Sequence, residues 1–157
     1  MRILHLSDTH NQHWSFTLPP ADILVHTGDY GCKGTEDELH DFNKWLDVTC
    51  SDYKHILVVP GNHDWFPYHQ PDRARTILTN AALLIDQKVT IEETVFYGSP
   101  WQPEFYNWAF NLPRGEPLKK KWELIPDNTN VLLTHGPPFG YLDRVCRNSS
   151  SQGCQDL

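Results

Sequence analysis

His55-Ile56-Leu57-Val58-Val59-Pro60-Gly61-Asn62-His63-Asp64 joins an apolar, β-branched run to a Pro-Gly stop and then to three polar side chains. A short apolar run closed by Gly and Pro reads as a buried strand, flanked on both faces. Gly and Asn are ordinary turn formers, but a turn has no conformational need for His between Asn and Asp. The stretch therefore predicts a strand that ends in a loop carrying chemistry. Similar runs recur at Arg2-Ile3-Leu4-His5-Leu6, Asp22-Ile23-Leu24-Val25-His26, Thr94-Val95-Phe96-Tyr97-Gly98 and Val131-Leu132-Leu133-Thr134.

Between the second and third runs, Thr35 with Glu38 three residues on forms a capping signature. Leu39, Phe42, Trp45, Leu46 and Cys50 then fall on one helical face. Weaker helical patterns run from Asp72 to about Asn80 and from Pro117 to Glu123, where Pro suits a first turn. Strands interleaved with helices predict an α/β sheet in one domain spanning residues 1–157. From Tyr141 the pattern fades into a polar stretch, 147–153, that reads as a loop, and no further strand pattern follows.

Composition narrows the function. With 39% apolar and 21% charged residues, the 157-residue chain is ordinary for a folded protein, and a net charge of −7 disfavours non-specific binding to nucleic acid. A small phosphate ester remains compatible, because bound divalent cations reverse the local potential. The four cysteines make no CxxC pair, Met1 enters a strand pattern directly, and no apolar run nears the length of about 18 residues expected of a membrane span. The expectation is a cytoplasmic protein with no membrane partner.

In open α/β sheets, functional groups collect on loops beyond the carboxyl ends of strands. Asp8 and His10 follow the first run, Asp29 the second, Asn62, His63 and Asp64 the third, and His135 the last. Carboxylate, amide oxygen and imidazole form a mixed O/N donor set, suited to Mn²⁺, Fe, Zn²⁺ or Co²⁺ better than to Ca²⁺ or Mg²⁺. One aspartate can bridge two ions about 3.5–4 Å apart, and Asp29 is the candidate bridge. Of the other histidines, His5 and His26 are expected as hydrogen-bonded core residues, and His13, His40, His55 and His69 as exposed ones.

In their order these motifs resemble the calcineurin-like metallophosphoesterases, whose pattern is D-x-H, G-D, G-N-H-D/E, H and G-H-x-H. Ser7-Asp8-Thr9-His10, His26-Thr27-Gly28-Asp29, Pro100-Trp101, Phe110-Asn111-Leu112-Pro113-Arg114-Gly115 and Thr134-His135-Gly136-Pro137-Pro138 are similar to the metallophosphoesterase-domain-containing branch, which includes cyclic-nucleotide phosphodiesterases. The resemblance covers nearly the whole chain. It implies an αββα sandwich and a pair of divalent transition-metal ions. Asp8, His10 and Asp29 would hold one, and Asp29, Asn62 and His135 the other.

It further implies hydrolysis of phosphodiesters, cyclic nucleotides among them, by a metal-bridging hydroxide. His63 would bind phosphate and act as general acid, and Asp64 would orient it. In the aromatic segment, Trp101 could stack a nucleobase while Asn111 and Arg114 reach ribose or phosphate. A satellite hydrophobic cluster under the loop is the plainer alternative.

The resemblance stops at G-H-x-H: no Gly-His pair occurs, and residues 136–157 contain no histidine. Each ion would then lack one imidazole, and the sandwich its C-terminal strands. A fragment of a longer chain is the leading expectation. Completion by a neighbouring chain in a homo-oligomer, or by water and another side chain, are the others. A different functional class stays open beside the enzyme: a catalytically deficient metal-binding or regulatory module.

Overall fold

The computed structural model describes residues 1–146 and 150–157, so positions 147–149 of the expected polar loop lie outside the described residues. All five anticipated strands form: β1 (Ile3–Leu6), β2 (Ile23–His26), β3 (His55–Val58), β6 (Thr94–Ser99) and β9 (Val131–Thr134). Four more join them: β4 (Ala82–Leu83), β5 (Gln87–Ile91), β7 (Gln102–Pro103) and β8 (Asn111–Leu112).

β1, β2, β3 and β4 make a wholly parallel sheet in that order, with Ile3 opposite Ile23 and Ile23 opposite His55. β5, β6 and β9 make a second sheet, antiparallel between β5 and β6 and parallel between β6 and β9. β7 and β8 form a small parallel pair.

Alternation along β2 distributes its side chains between two cores. Leu24 meets α1 (Glu36–Thr49), whose Leu39, Phe42, Trp45 and Leu46 are fully buried with Ile56 and Val58. Ile23 and Val25 point the other way, into a core between the sheets with Leu57, Ile91, Phe96 and Leu133. Because both faces of the first sheet are covered, its strands read as continuous apolar runs.

The capping box of α1 is realised in full: Glu38 N–H donates to Thr35 Oγ1 (3.3 Å) and Thr35 N–H to Glu38 Oε2 (3.1 Å). α2 (Trp65–His69) is a short helix with Pro67 in its first turn. α3 (Pro71–Ile77) ends sooner than the pattern suggested, because Asn80 N–H turns to Asn43 Oδ1 (3.1 Å). α4 (Glu116–Trp122) packs Leu118 and Trp122 with Trp101, Leu112, Ile125 and Cys154 in a separate cluster. After β9 the described residues hold only isolated bridges, Pro138 with Cys154 and Arg144 with Ser151.

Two histidine expectations are corrected. His13 is not exposed: a 3₁₀ turn, His13–Ser15, drives it under α1 against Phe42 and Trp45, with Nε2 3.0 Å from Asp41 Oδ2. His5 is not in the core: β1 is an edge strand, and His5 is exposed while it bonds Thr27 Oγ1 at 2.7 Å. His26 is buried as expected, its Nε2 3.1 Å from Thr9 Oγ1 and its Nδ1 accepting from Gly28 N–H at 3.3 Å.

Candidate metal centre

Parallel alignment of β1, β2 and β3 brings their carboxyl ends to one edge of the first sheet. Past that edge, the first two loops continue to pair. Asp8 N–H donates to Gly28 O (2.9 Å), His10 N–H to Asp29 O (3.0 Å) and Asn11 N–H to Tyr30 O (2.8 Å). This course places Asp8, His10, Asn11 and Asp29 at φ of 54°, 42°, 62° and 56°. Left-handed backbone at non-glycine residues costs free energy and gathers where a site over-determines the chain.

Close approach is the other local requirement. A Cβ on Gly28 would sit 2.4 Å from Gly61 N, and one on Gly61 would sit 2.3 Å from Asp29 Oδ1. The two glycines let the Asp29 and Asn62-His63 loops touch.

Asp29 is 3% exposed and stands at the hub. Its Oδ1 accepts from His63 N–H (2.8 Å), and its Oδ2 lies 3.8 Å from His10 Nε2, 4.0 Å from His63 Nε2 and 3.6 Å from His135 Nε2. Each of these rings bonds a backbone carbonyl through its other nitrogen: His10 Nδ1 to Gly31 O (3.1 Å), His63 Nδ1 to Cys32 O (2.8 Å) and His135 Nδ1 to Thr27 O (2.8 Å). A carbonyl can only accept, so these partners assign the proton to Nδ1 in the neutral ring. The three Nε2 atoms are thus turned toward one carboxylate oxygen, placed to take a metal ion or, in His63, a proton.

That arrangement fits a cation. Lone pairs and a carboxylate repel unless a positive charge lies between them, and ligands 2.0–2.2 Å from an ion stand about 3–4 Å from one another. Nδ1 held by a carbonyl while Nε2 faces the site is also how ligating imidazoles are oriented. Two sets of donor atoms lie close enough to share an ion: His10, Asp29 and His63, and Asp8, Asp29 and His135. Asn62 Oδ1 adds an amide oxygen 3.0 Å from His135 Nε2. Asp8 approaches His10 Nε2 at 3.9 Å, and its other oxygen accepts from Ser7 Oγ.

The role expected of Asp64 is corrected. Its carboxylate, wholly buried, accepts from Gly61 N–H (2.7 Å) and Asp29 N–H (2.8 Å), with Gly31 N–H at 3.5 Å. It ties the loops that carry the site and leaves the His63 ring to Cys32 O. Burial pushes the Asp64 carboxyl well above its ordinary range, the Asp29 carboxylate adds to that push, and the N–H donors oppose it.

The aromatic segment is placed differently from the stacking expectation. Trp101 donates its indole N–H to Asp86 Oδ2 (2.8 Å). Asn111 Nδ2 goes to Phe105 O (2.9 Å), and the Arg114 guanidinium goes to Gln152 O (2.7 Å) and Gly153 O (2.8 Å). These groups are satisfied within the chain and shape the wall. Arg114 and Asn62 line a cavity of ≈ 250 Å³ with Pro103, Phe105, Pro137 and Val145.

The aromatic ring that reaches the centre is Trp108, its centroid 4.3 Å from that of His63. It belongs to the same aromatic segment of the sequence, where no role was expected of it. Nothing in the sequence brings residue 108 to residue 63.

The family model for calcineurin-like phosphoesterase matches residues 1–156. Metallophosphoesterase domain-containing protein 1 of Homo sapiens is 37% identical over 179 residues, covering 99% of this chain and 54% of its own length. A UPF0046 protein of Caenorhabditis elegans is 36% identical over 171 residues, covering 100% of this chain and 57% of its own. The chain thus spans about half the length of these curated relatives. One solved structure superposes with a TM-score of 0.63 over 99% of this chain and 77% of its own at 14% identity, which shows the fold. Among the described residues, no helix is long and apolar enough to cross a membrane.

Proposed function

This chain belongs to the calcineurin-like phosphoesterase family, and from that premise we propose that it hydrolyses phosphodiesters, cyclic nucleotides in particular, with two divalent transition-metal ions. One observation carries the reading: the Nε2 atoms of His10, His63 and His135 converge on Asp29 Oδ2 at 3.8, 4.0 and 3.6 Å, while backbone carbonyls hold the opposite nitrogens. Asp8, His10 and Asp29 would hold one ion, and Asp29, Asn62 and His135 the other. Bound there, Mn²⁺, Fe, Zn²⁺ or Co²⁺ would supply Lewis acidity to the phosphoryl oxygens and make a water acidic enough to attack at neutral pH.

The chain's own contribution is position and a proton. Asp29 fixes the spacing, and its buried carboxylate is itself fixed by His63 N–H. His63 Nε2 faces the same space. As general acid, an Nε2–H of His63 would bind a phosphoryl oxygen and pass its proton to the leaving alkoxide as the P–O bond breaks, which leaves the Nδ1–H on Cys32 O. The adjoining cavity, which shares Asn62 and lies beside His135 through Pro137, is sized for a flat organic group. Phe105, Pro103 and Pro137 line its apolar side.

Four unpaired thiols suit a reducing, cytoplasmic compartment, and association of like chains would cover the open edge of β1. The test is hydrolysis of bis(p-nitrophenyl) phosphate by Mn²⁺-loaded protein of this length, with abolition by Asp29→Ala. Metal binding without turnover in the unsubstituted protein would instead favour a binding or regulatory module.

A further inference from the structure

His63 carries the proton in the proposed reaction, and its ring must hold one attitude toward the Asp29 carboxylate. The side chain expected to hold it, Asp64, is committed to backbone N–H groups. One contact on the His63 ring is the Nδ1 bond to Cys32 O at 2.8 Å. That bond restrains rotation about Cβ–Cγ, but one hydrogen bond tolerates tens of degrees of misalignment, so by itself it holds the ring plane only loosely.

Two further contacts close that freedom. The His10 ring meets His63 edge-on, with centroids 4.8 Å apart at 81°. The Trp108 indole covers a face, with centroids 4.3 Å apart and planes tilted by 32°.

The indole is itself anchored. The residue after it, Ala109, is fully buried and donates its N–H to Asn62 O at 3.1 Å, so the Trp108 loop is clipped to the loop bearing Asn62 and His63. The next residue, Phe110, is 2% exposed, and its carbonyl accepts from Gln102 N–H at 3.1 Å. The backbone that carries the indole is thereby held against the loop that carries His63.

We propose that Trp108 is the positioning residue for His63: it sets the plane of the imidazole so that Nε2 faces the leaving oxygen. The inference rests on the hydrolytic reading for its catalytic consequence, but its geometric content is independent of turnover. Ring pairs of this kind are worth enough to change a rate several-fold, whereas loss of a general acid costs 10²–10⁴-fold. Removing the indole should therefore impair His63 in part.

The experiment has two arms. In metal-free protein, ¹H–¹³C spectra of the His63 ring protons should show an upfield ring-current displacement that Trp108→Ala removes and Trp108→Phe partly keeps. In Mn²⁺-loaded protein, Trp108→Ala should lower kcat for adenosine 3′,5′-cyclic monophosphate about tenfold with KM unchanged. For bis(p-nitrophenyl) phosphate, whose leaving phenolate needs no proton, the loss should stay below about threefold. Trp108→Phe should restore the alkoxide reaction, and Trp108→Ala should add nothing to His63→Asn.

Equal losses for both esters, additivity with His63→Asn, or ring-proton shifts indifferent to Trp108 would each overturn the proposal. If Trp108→Ala does not fold, Trp108→Leu against Trp108→Phe makes the same comparison. If the unsubstituted protein turns over neither ester, the hydrolytic reading fails, and the spectra alone decide whether Trp108 sets the ring.

Discussion

Replacing Gly61 by alanine adds one methyl group at the tightest point of the molecule. The new Cβ would lie 2.3 Å from Asp29 Oδ1, 2.6 Å from Asp29 N and 2.8 Å from His135 Cε1. Ordinary contact begins near 3.4 Å, so Asp29 must retreat by about 1 Å. That retreat breaks the 2.8 Å bond from His63 N–H and strains the 2.7 Å bond from Gly61 N–H to Asp64. Overpacking costs about 1–3 kcal/mol and loss of a charged hydrogen bond about 1.5–3 kcal/mol, together roughly 3–5 kcal/mol.

For a domain of this length, that lowers Tm by about 6–20 °C. It also moves the hub carboxylate away from the three imidazoles, so affinity for Co²⁺ should fall at least tenfold by calorimetry. Gly140→Ala is the control: its Cβ would meet nothing within 4 Å, and only its φ of 86° opposes substitution, at about 1–2 kcal/mol. If Gly61→Ala melts no lower than Gly140→Ala and binds Co²⁺ as tightly as the unsubstituted protein, the close approach does not govern the site.

Other consequences follow from buried groups. Burial lowers the His26 imidazole to about 3, with nearby histidines adding to the shift, so the unfolded chain binds a proton that the folded one refuses below pH 6.5. Stability is undiminished above that pH and falls as pH drops, by about 1.4 kcal/mol per unit. Urea unfolding at pH 7 and pH 5 should differ by about 2 kcal/mol from this group, with His13 adding in the same sense; a flat profile would contradict it.

Glu38→Ala removes acceptors from Asn11, Lys33, Thr35 and Cys32 N–H groups at once. It should lower Tm by more than Thr35→Ala, which loses only a cap worth about 1 kcal/mol. Burial raises the Cys50 thiol to about 12. A thiol reagent at pH 8 should therefore label exposed Cys32 and Cys146 quickly, and buried Cys50 and Cys154 only on unfolding; rapid labelling of Cys50 would show the α1 core to be open.

The most legible part of the fold was the part buried on both sides. β2 and β3 carry apolar residues at nearly every position because helices cover one face and the second sheet the other. β5 escaped notice because it is polar and mostly exposed, and it turns into β6 through Glu92-Glu93 with Glu92 at φ 54°, without the Asn-Gly signal of a tight hairpin. α2 escaped because five residues are too few to show a period.

At the site, the places of Asp8, His10, Asp29, Asn62, His63 and His135 after strands sufficed to expect that they gather, as they do. Roles that depend on where a side chain points were not legible. Asp64 sits next to His63 in sequence yet faces backbone N–H groups, and Arg114 is spent on carbonyls 38 and 39 residues away. Trp108 reaches His63 only because the chain returns through β7 and β8.

The most direct test is a crystal of this chain soaked in Co²⁺ and measured at the cobalt absorption edge. The expected result is two anomalous peaks about 3.5–4 Å apart, both within bonding distance of the Asp29 carboxylate, one beside His10 Nε2 and the other beside His135 Nε2. Peaks that leave Asp29 uncoordinated, or cobalt bound only elsewhere on the surface, would contradict the claim that this carboxylate is the hub of a metal centre.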